Sequence, residues 1–464
     1  MPSFPDATND EINQALLLAE QSFHSFRNLN GQKRSSLLIG IANGLEQDKE
    51  RIISVAENET HLGLPRLKME FLRTISELHN FAKLADSMEW KELSSEFENH
   101  EAKLNSNLKK ENLPVGPVLV IGACNFPFAI SVVGTDTASA LAVGCPVIVK
   151  SHPEHEKTCQ ALADIVNKSL HKLKIPQGVF QLLHGRSHRV TQKLVEHPDI
   201  KSVAFTGSLT GGSALAKIAT SREKPIPFHA EMGSLNPVIA LPHIVKNDQV
   251  KFAFDYIQAV NLFAGQMCTK PGVLFLLDSN ESFSRHIKEA VKLQEVFPML
   301  NKSVYENYES SIQSMKLSLP LLATNEEKEH NNTHPAFCRI FKLEVEQFIN
   351  SLELRAEAFG PSSMVVYCRN ENELMECLKY MDGSLTGSIH GEKADLTLAS
   401  KIVPILESLV GRIIWNGFPP GVMPGIATHH GGPWPATTDS RFTSIGMQGY
   451  KRFVRPICKQ GFPN

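Results

Sequence analysis

Four residues have side chains suited to a single covalent reaction. Cys268 stands in FAGQMCTKPG, Phe263 to Gly272, and a cysteine thiolate is a strong nucleophile toward a carbonyl carbon. Glu231 lies in the apolar segment FHAEMGSLNP. A carboxylate in such surroundings is usually a paired structural group, but desolvation also raises its pKa toward that of a general base. Asn125 precedes Phe126 and Pro127 in GACNFP, where an amide serves either as a turn cap or as a donor to an oxyanion. Lys150 ends the apolar run VIVK. It reads as a snorkelling lysine or as a donor to a ribose or phosphate. Each also has an ordinary structural reading: a buried core cysteine, a paired glutamate, a turn-capping asparagine and a snorkelling lysine.

The eight cysteines fall at 124, 145, 159, 268, 338, 368, 377 and 458, with no C-x-x-C among them. A chain of 464 residues needs no disulfide framework, so reduced thiols are expected and a special cysteine is special through its environment. Cys124, beside Asn125, is a second cysteine near the motifs with no assignable role. Metal signatures are poor. His152 and His155 are turn residues, His429 and His430 form a loop pair, and H-E-x-x-H is absent. No metal is expected. There is no G-x-S-x-G elbow for a serine triad.

The elements that must position these residues change texture along the chain. Residues 11–88 carry apolar residues at three- and four-residue spacing, which predicts helices, and 91–113 is a polar connection or arm. From 118 on, the short β-branched runs VLVIG, PVIVK, VFQLL, SVAFTG and NPVIAL alternate with helical segments at 134–143, 155–170, 189–196 and 212–220. That alternation predicts a parallel sheet covered on both faces, a doubly wound α/β domain. A second α/β block begins near 250 with a helix at 251–264, then VLFLL and later SMVVYC and GRIIWNG. In open α/β sheets ligands bind beyond the carboxyl ends of strands. GACNFP, KSHPEH and FTGSLTGG all fall there; the last opens a helix and offers backbone N–H groups to a phosphate, although alone it is also an ordinary tight turn.

Composition excludes other classes. With 42% hydrophobic and 21% charged residues and a net charge of −2, the chain is globular, with nothing to attract nucleic acid or an anionic membrane. The start MPSFPDATNDE has no signal-peptide pattern, and no apolar run reaches the roughly 18 residues of a membrane span. A soluble, cytoplasmic protein is expected.

Taken in order, CNFPFAISVVGTDTASALAVGCPVIVKSHPEHEKT, FTGSLTGG, HAEMGSLNP, GQMCTKPG and EAFGP resemble the aldehyde dehydrogenase superfamily over essentially the whole chain. GSLNPV, CTKPG and HHGGPWPATTDSRFTSIG resemble 2,5-dioxovalerate (α-ketoglutarate semialdehyde) dehydrogenases and, equally, NADP-dependent fatty aldehyde dehydrogenases. The resemblance implies an α/β fold of three parts. A doubly wound NAD(P)-binding domain takes 1–91 and 114–234, a catalytic α/β domain takes 235–430, and a small β oligomerisation arm takes 92–113 and 431–464.

The resemblance also implies roles. Cys268 is the nucleophile, Glu231 the general base and Asn125 the oxyanion amide. Lys150 and His152 lie at the adenosine end of the cofactor, and Gly207, Ser208 and Gly212 at its pyrophosphate. Glu357 and Phe359 hold the nicotinamide ribose and ring, and His430 is a histidine near the nucleophile, with His429 as its rival. Cys268 is expected where two domains meet, with Gly265 and Gly272 admitting the cofactor.

The cofactor is NAD or NADP. Many NAD-preferring members carry Glu three residues after the cofactor lysine; here Pro153 leaves no carboxylate to repel a 2′-phosphate, and Arg186 or Arg189 is placed to contact it. The retained Glu231 argues against acyl transfer to coenzyme A. The substrate is a small aldehyde, 2,5-dioxopentanoate or alternatively a long-chain aldehyde, with Phe126, Phe128, Phe263 and Met267 offering walls to either entrance. A homodimer or dimer of dimers is implied. The reading from another class, a non-catalytic binding protein on this scaffold, is opposed by the joint presence of Cys268, Glu231, Asn125 and Lys150.

Overall fold

A computed structural model describes residues 4–96, 108–277 and 282–462. Residues 97–107 of the expected arm, and 463–464 at its other end, lie outside the described residues. The chain divides into two compact units: Met1–Ala230 with Pro424–Thr428 and Phe442–Asn464, and Glu231–Met423 with His429–Arg441.

The first unit opens with four helices: α1 (Asn9–Arg27), α2 (Gly31–Gln47), α3 (Lys49–Thr60) and α4 (Leu64–Ser87). Thr8 and Glu11 cap α1 reciprocally in a capping box, satisfying otherwise orphaned N–H groups. On α4 the apolar stripe Leu67, Phe71, Ile75, Leu78 and Ala85 is buried at helical spacing. A second stripe on the same helix, Arg66, Glu70 and Glu77, is charged and also buried.

Behind the helices lies a five-stranded sheet of β1 (Val118–Ile121), β2 (Val147–Lys150), β3 (Phe180–Leu183), β4 (Ser202–Thr206) and β5 (Phe228–Glu231), in the order β3-β2-β1-β4-β5. β1 pairs in parallel with both β2 and β4. Strand order therefore reverses at β1, and the crevice past its carboxyl end lies between residues 122–127 and the turn after β4. The expected helices appear as α5 (Thr135–Val143), α6 (Glu156–Lys172), α7 (His188–Glu196) and α8 (Leu209–Ser221). A separate three-stranded antiparallel sheet joins Ser94–Glu96, Leu108–Pro114 and Val454–Gln460.

The second unit is built on a seven-stranded sheet. Its strands are β6 (Pro237–Ala240), β7 (Val273–Leu277), β8 (Leu321–Thr324), β9 (Arg339–Leu343), β10 (Ser362–Cys368), β11 (Ser384–His390) and β12 (Val410–Trp415), ordered β8-β9-β10-β7-β6-β11-β12. All pairings are parallel except the edge strand β8. The run NPVIAL, which texture alone groups with the first strands and the expected boundary at 234/235 gives to the catalytic domain, is β6 of the second sheet. An apolar period reports burial and carries no sheet identity. β11, SLTGSIH, is buried throughout yet has little apolar character. Hydrogen bonds to Ser234 and Asn236 replace the hydrophobic signal there. Among the described residues no helix is long and apolar enough to cross a membrane.

Candidate active site

The nucleophile loop leaves helix α9 (Gln249–Asn261) through three successive left-handed residues, Phe263, Ala264 and Gly265, with φ of 54°, 56° and 62°. Such φ values are disfavoured for residues with a Cβ and persist only where packing enforces them. A Cβ on Gly265 would lie 2.3 Å from the carbonyl of Gly360, and one on Gly272 would lie 2.5 Å from the Leu235 oxygen. The room these glycines give is taken by protein backbone of the same unit.

Asn236 locks the loop. Its own backbone is left-handed, at φ 52°. Its Nδ2 donates to the carbonyls of Cys268 at 2.8 Å and Lys270 at 3.0 Å, while its Oδ1 accepts from Ser234 Oγ and from Thr386. Lys270 is buried beneath the loop and donates from Nζ to the Ser362 carbonyl at 2.7 Å. Desolvation lowers its pKa, opposed by the Glu357 carboxylate. Neither Asn236 nor Lys270 was singled out by sequence, because their partners lie up to 150 residues away. The one available signal was Asn before Pro237 in GSLNP.

Cys268 is half-buried, whereas Cys145, Cys159, Cys338, Cys368 and Cys377 are sealed in the interior. Its Sγ lies 3.5 Å from His430 Nε2, and the same nitrogen lies 3.2 Å from Glu231 Oε1. His430 and Glu231 are 1% and 2% exposed, so thiol, imidazole and carboxylate form a chain that reaches solvent only at the sulfur end. The backbone explains this convergence of residues from three distant segments. Glu231 forms an antiparallel bridge with Thr437, and the Met232 N–H donates to Ala436 O. The glycines around His430 fit it tightly: a Cβ on Gly432 would meet the Ser384 carbonyl at 2.2 Å. His430, rather than His429, is the residue in contact with both partners.

Glu357 fits a polyol ligand. Its Oε2 accepts from the Ser234 N–H at 3.2 Å, while Oε1 is sealed from solvent and has no hydrogen-bond partner. Desolvation raises its pKa, offset by Lys270 and by the Ser234 bond. Phe359, two residues on, is half-buried.

The remaining expected residues belong to the first unit. Asn125 is buried, and its carbonyl accepts from Arg66 Nη2. The Arg66 guanidinium also lies over the Phe126 ring, 5.1 Å from its centroid. Glu70 accepts from the N–H groups of Phe128 and Ala129 at 2.7 and 2.9 Å. The buried charges of α4 therefore hold the Asn125 turn, a role whose only sequence trace was Arg66 and Glu70 one helical turn apart. Phe128 is core, edge-on to Phe71, not an entrance wall. Cys124 has its thiol pushed up to about 12 by burial, which suits an inert residue.

Lys150 ends β2 and His152 follows it; burial lowers both pKa values. The Arg186 guanidinium donates to the Pro153 carbonyl at 2.6 Å, whereas Arg189 is tied to Ala7 and Asn9. Ser208 caps α8 by accepting from Gly211 N, with Gly207 before it and Gly212 in the first turn. This turn is an anion-binding helix terminus in form.

The sequence model of the aldehyde dehydrogenase family matches residues 1–433. The chain is 35% identical over 98% of its length to an alpha-ketoglutaric semialdehyde dehydrogenase of Acinetobacter baylyi, covering 88% of that protein. It is 34% identical over its full length to alpha-ketoglutaric semialdehyde dehydrogenase 2 of Azospirillum brasilense, covering 89% of it. Among solved structures, proline utilization A of Bradyrhizobium japonicum superposes with a TM-score of 0.81 at 22% identity over 98% of this chain. The chain spans only 45% of that larger protein.

Proposed function

The chain belongs to the aldehyde dehydrogenase family, and on that premise we propose that it oxidises 2,5-dioxopentanoate to 2-oxoglutarate with NAD or NADP. The observation that carries the chemistry is the Cys268–His430–Glu231 chain. Cys268 loses its proton and adds to the aldehyde carbon, forming a thiohemiacetal whose oxygen carries the negative charge. The Asn125 amide is the proposed donor to that oxygen, held in place by Arg66 and Glu70. Glu357 and Phe359 would hold the nicotinamide end of the cofactor, which would supply the hydride acceptor for that carbon; the acyl group then stays on Cys268 as a thioester. Glu231 then takes a proton from water as the water attacks the thioester, releasing the carboxylate and regenerating the thiol. His430 touches both the sulfur and the base, so it orients each for its step.

Each unit carries groups suited to the cofactor. In the second, the unpartnered Glu357 Oε1 supports binding of ribose hydroxyls beside Phe359. In the first, the Ser208-capped turn of Gly207 and Gly212 supports pyrophosphate binding, and Lys150 with His152 the adenosine ribose. Arg186 at the Pro153 carbonyl favours that arginine over Arg189 as the contact for a 2′-phosphate, which supports use of NADP.

The substrate reading has support from the names of the two similar dehydrogenases and from Arg412 on β12. Burial lowers the Arg412 pKa, and the Cys268 charge opposes that shift. Two of its N–H groups bind the Pro419 and Gly421 carbonyls, while Nε is buried without a partner. A cation that senses the nucleophile suits an aldehyde with a carboxylate at its far end. For assembly, the antiparallel sheet joining Leu108–Pro114 to Val454–Gln460 supports a role of the arms in a homodimer or dimer of dimers.

A steady-state panel tests the function. 2,5-Dioxopentanoate, succinate semialdehyde, glutaraldehyde and decanal are each paired with NAD and NADP. The highest kcat/KM belongs to 2,5-dioxopentanoate; preference for decanal would replace the substrate reading with the long-chain one.

A further inference from the structure

The chain of thiol, imidazole and carboxylate has a second property, independent of its proposed catalytic use. Cys268 Sγ, His430 Nε2 and Glu231 Oε1 are soft, borderline and hard donors brought close together. The ligand atoms of the three residues all lie within 4.8 Å of one another. Tetrahedral zinc bonds of ordinary length place sulfur and nitrogen about 3.6 Å apart, and nitrogen and oxygen about 3.4 Å apart. The structure has 3.5 and 3.2 Å.

We propose that Cys268, His430 and Glu231 form a three-ligand site for zinc and chemically similar divalent ions, and that an ion held there blocks the nucleophile. The blocking rests on the function proposed above; the binding does not.

The charge balance is favourable for a buried site. Binding displaces one proton, from the Cys268 thiol to solvent. Thiolate and carboxylate then neutralise the two positive charges, with a neutral imidazole as third ligand. A neutral assembly avoids the cost of burying net charge. His430 must carry its proton on Nδ1, so that the Nε2 lone pair faces the ion; the hydrogen bonds through Nε2 are exchanged for a metal bond. Two ligands are sealed and Cys268 is half-exposed, so the ion enters at the sulfur and keeps a fourth position for water. Sulfur and imidazole select zinc, cobalt and cadmium over magnesium and calcium. No short-range motif announces the site, because its ligands come from positions 231, 268 and 430.

Cobalt(II) titration of the full-length protein, free of added metal and cofactor, reads the site directly through the thiolate-to-metal charge-transfer band. The expected result is one equivalent of cobalt, displaced by zinc and unaffected by magnesium. Cys268→Ser and Cys268→Ala abolish the band while circular dichroism stays native, His430→Gln and Glu231→Gln weaken cobalt at least about tenfold, and Cys458→Ser, at an exposed cysteine, changes nothing. Zinc at saturation abolishes aldehyde oxidation, and a chelator restores it. A band that survives Cys268→Ser, a band lost in Cys458→Ser, or no band at all overturns the site. Full activity in the zinc-saturated protein overturns the blocking. An active enzyme without the band refutes the metal site alone; a band in a protein that oxidises no aldehyde refutes the functional reading alone.

Discussion

At the scale of single residues, reactivity is decided by surroundings rather than residue type. Five cysteines are sealed in the interior, Cys159 among them although His155 Nδ1 lies 3.2 Å from its sulfur, whereas Cys268 is only partly buried and touches His430. Asn125→Ala is expected to lower kcat by about 100- to 1,000-fold, or roughly 2.7–4 kcal/mol, if its amide serves the oxyanion; stopped-flow rates check this. Glu357 makes a pH prediction. Its folded pKa lies above the ordinary carboxylate value, chiefly through desolvation, so the folded state holds the proton more tightly than the unfolded state. The stability this provides is complete at acid pH and is lost as pH rises through the folded value. Binding of ribose hydroxyls needs the charged form and therefore strengthens over the same rise. Glu357→Gln should flatten both dependences, as followed by thermal melts and cofactor titration across pH.

At the scale of elements, the nucleophile loop depends on tertiary contacts. Asn236→Ala removes the donor to the Cys268 and Lys270 carbonyls and leaves buried groups unsatisfied, at a cost of about 1–3 kcal/mol each. Urea unfolding should show this loss, together with a fall in kcat. Gly265→Ala is expected to be more disruptive than a helical Gly→Ala, since its methyl would meet the Gly360 carbonyl; soluble yield and melting temperature read it. The alternation of apolar strands and helices made the first sheet legible from sequence, including α5 to α8 within a few residues. β11 was not legible, because hydroxyl and amide hydrogen bonds replace its apolar signal. NPVIAL was legible as a strand from its texture, but its place in the second sheet came only from the boundary at 234/235 that the resemblance implied, because an apolar period carries no sheet identity. Asn236, Lys270, Arg66 and Glu70 stayed hidden for the same reason: each acts on a partner far along the chain.

At the scale of the molecule, the proposed use of NADP is tested at the edge of the first sheet. The Arg186 guanidinium donates to the Pro153 carbonyl and lies 3.5 Å from the Glu154 and Glu156 carboxylates. Arg186→Ser is expected to lower kcat/KM with NADP at least about tenfold, and with NAD little, if the loss is that of one charge-assisted hydrogen bond; an equal loss with both would assign Arg186 to holding the 152–156 turn. The order of motifs named the candidate catalytic residues over the whole chain, while the link from Glu231 through His430 to Cys268 needed the fold. That link bears the central claim: Cys268 is acylated and Glu231 clears it. The most direct measurement is the transient nicotinamide absorbance when Glu231→Gln protein is mixed with 2,5-dioxopentanoate and cofactor. The account predicts a burst of one equivalent of reduced cofactor per active site followed by a stall, and no burst at all for Cys268→Ser. Steady wild-type turnover in Glu231→Gln, or a burst in Cys268→Ser, would contradict it.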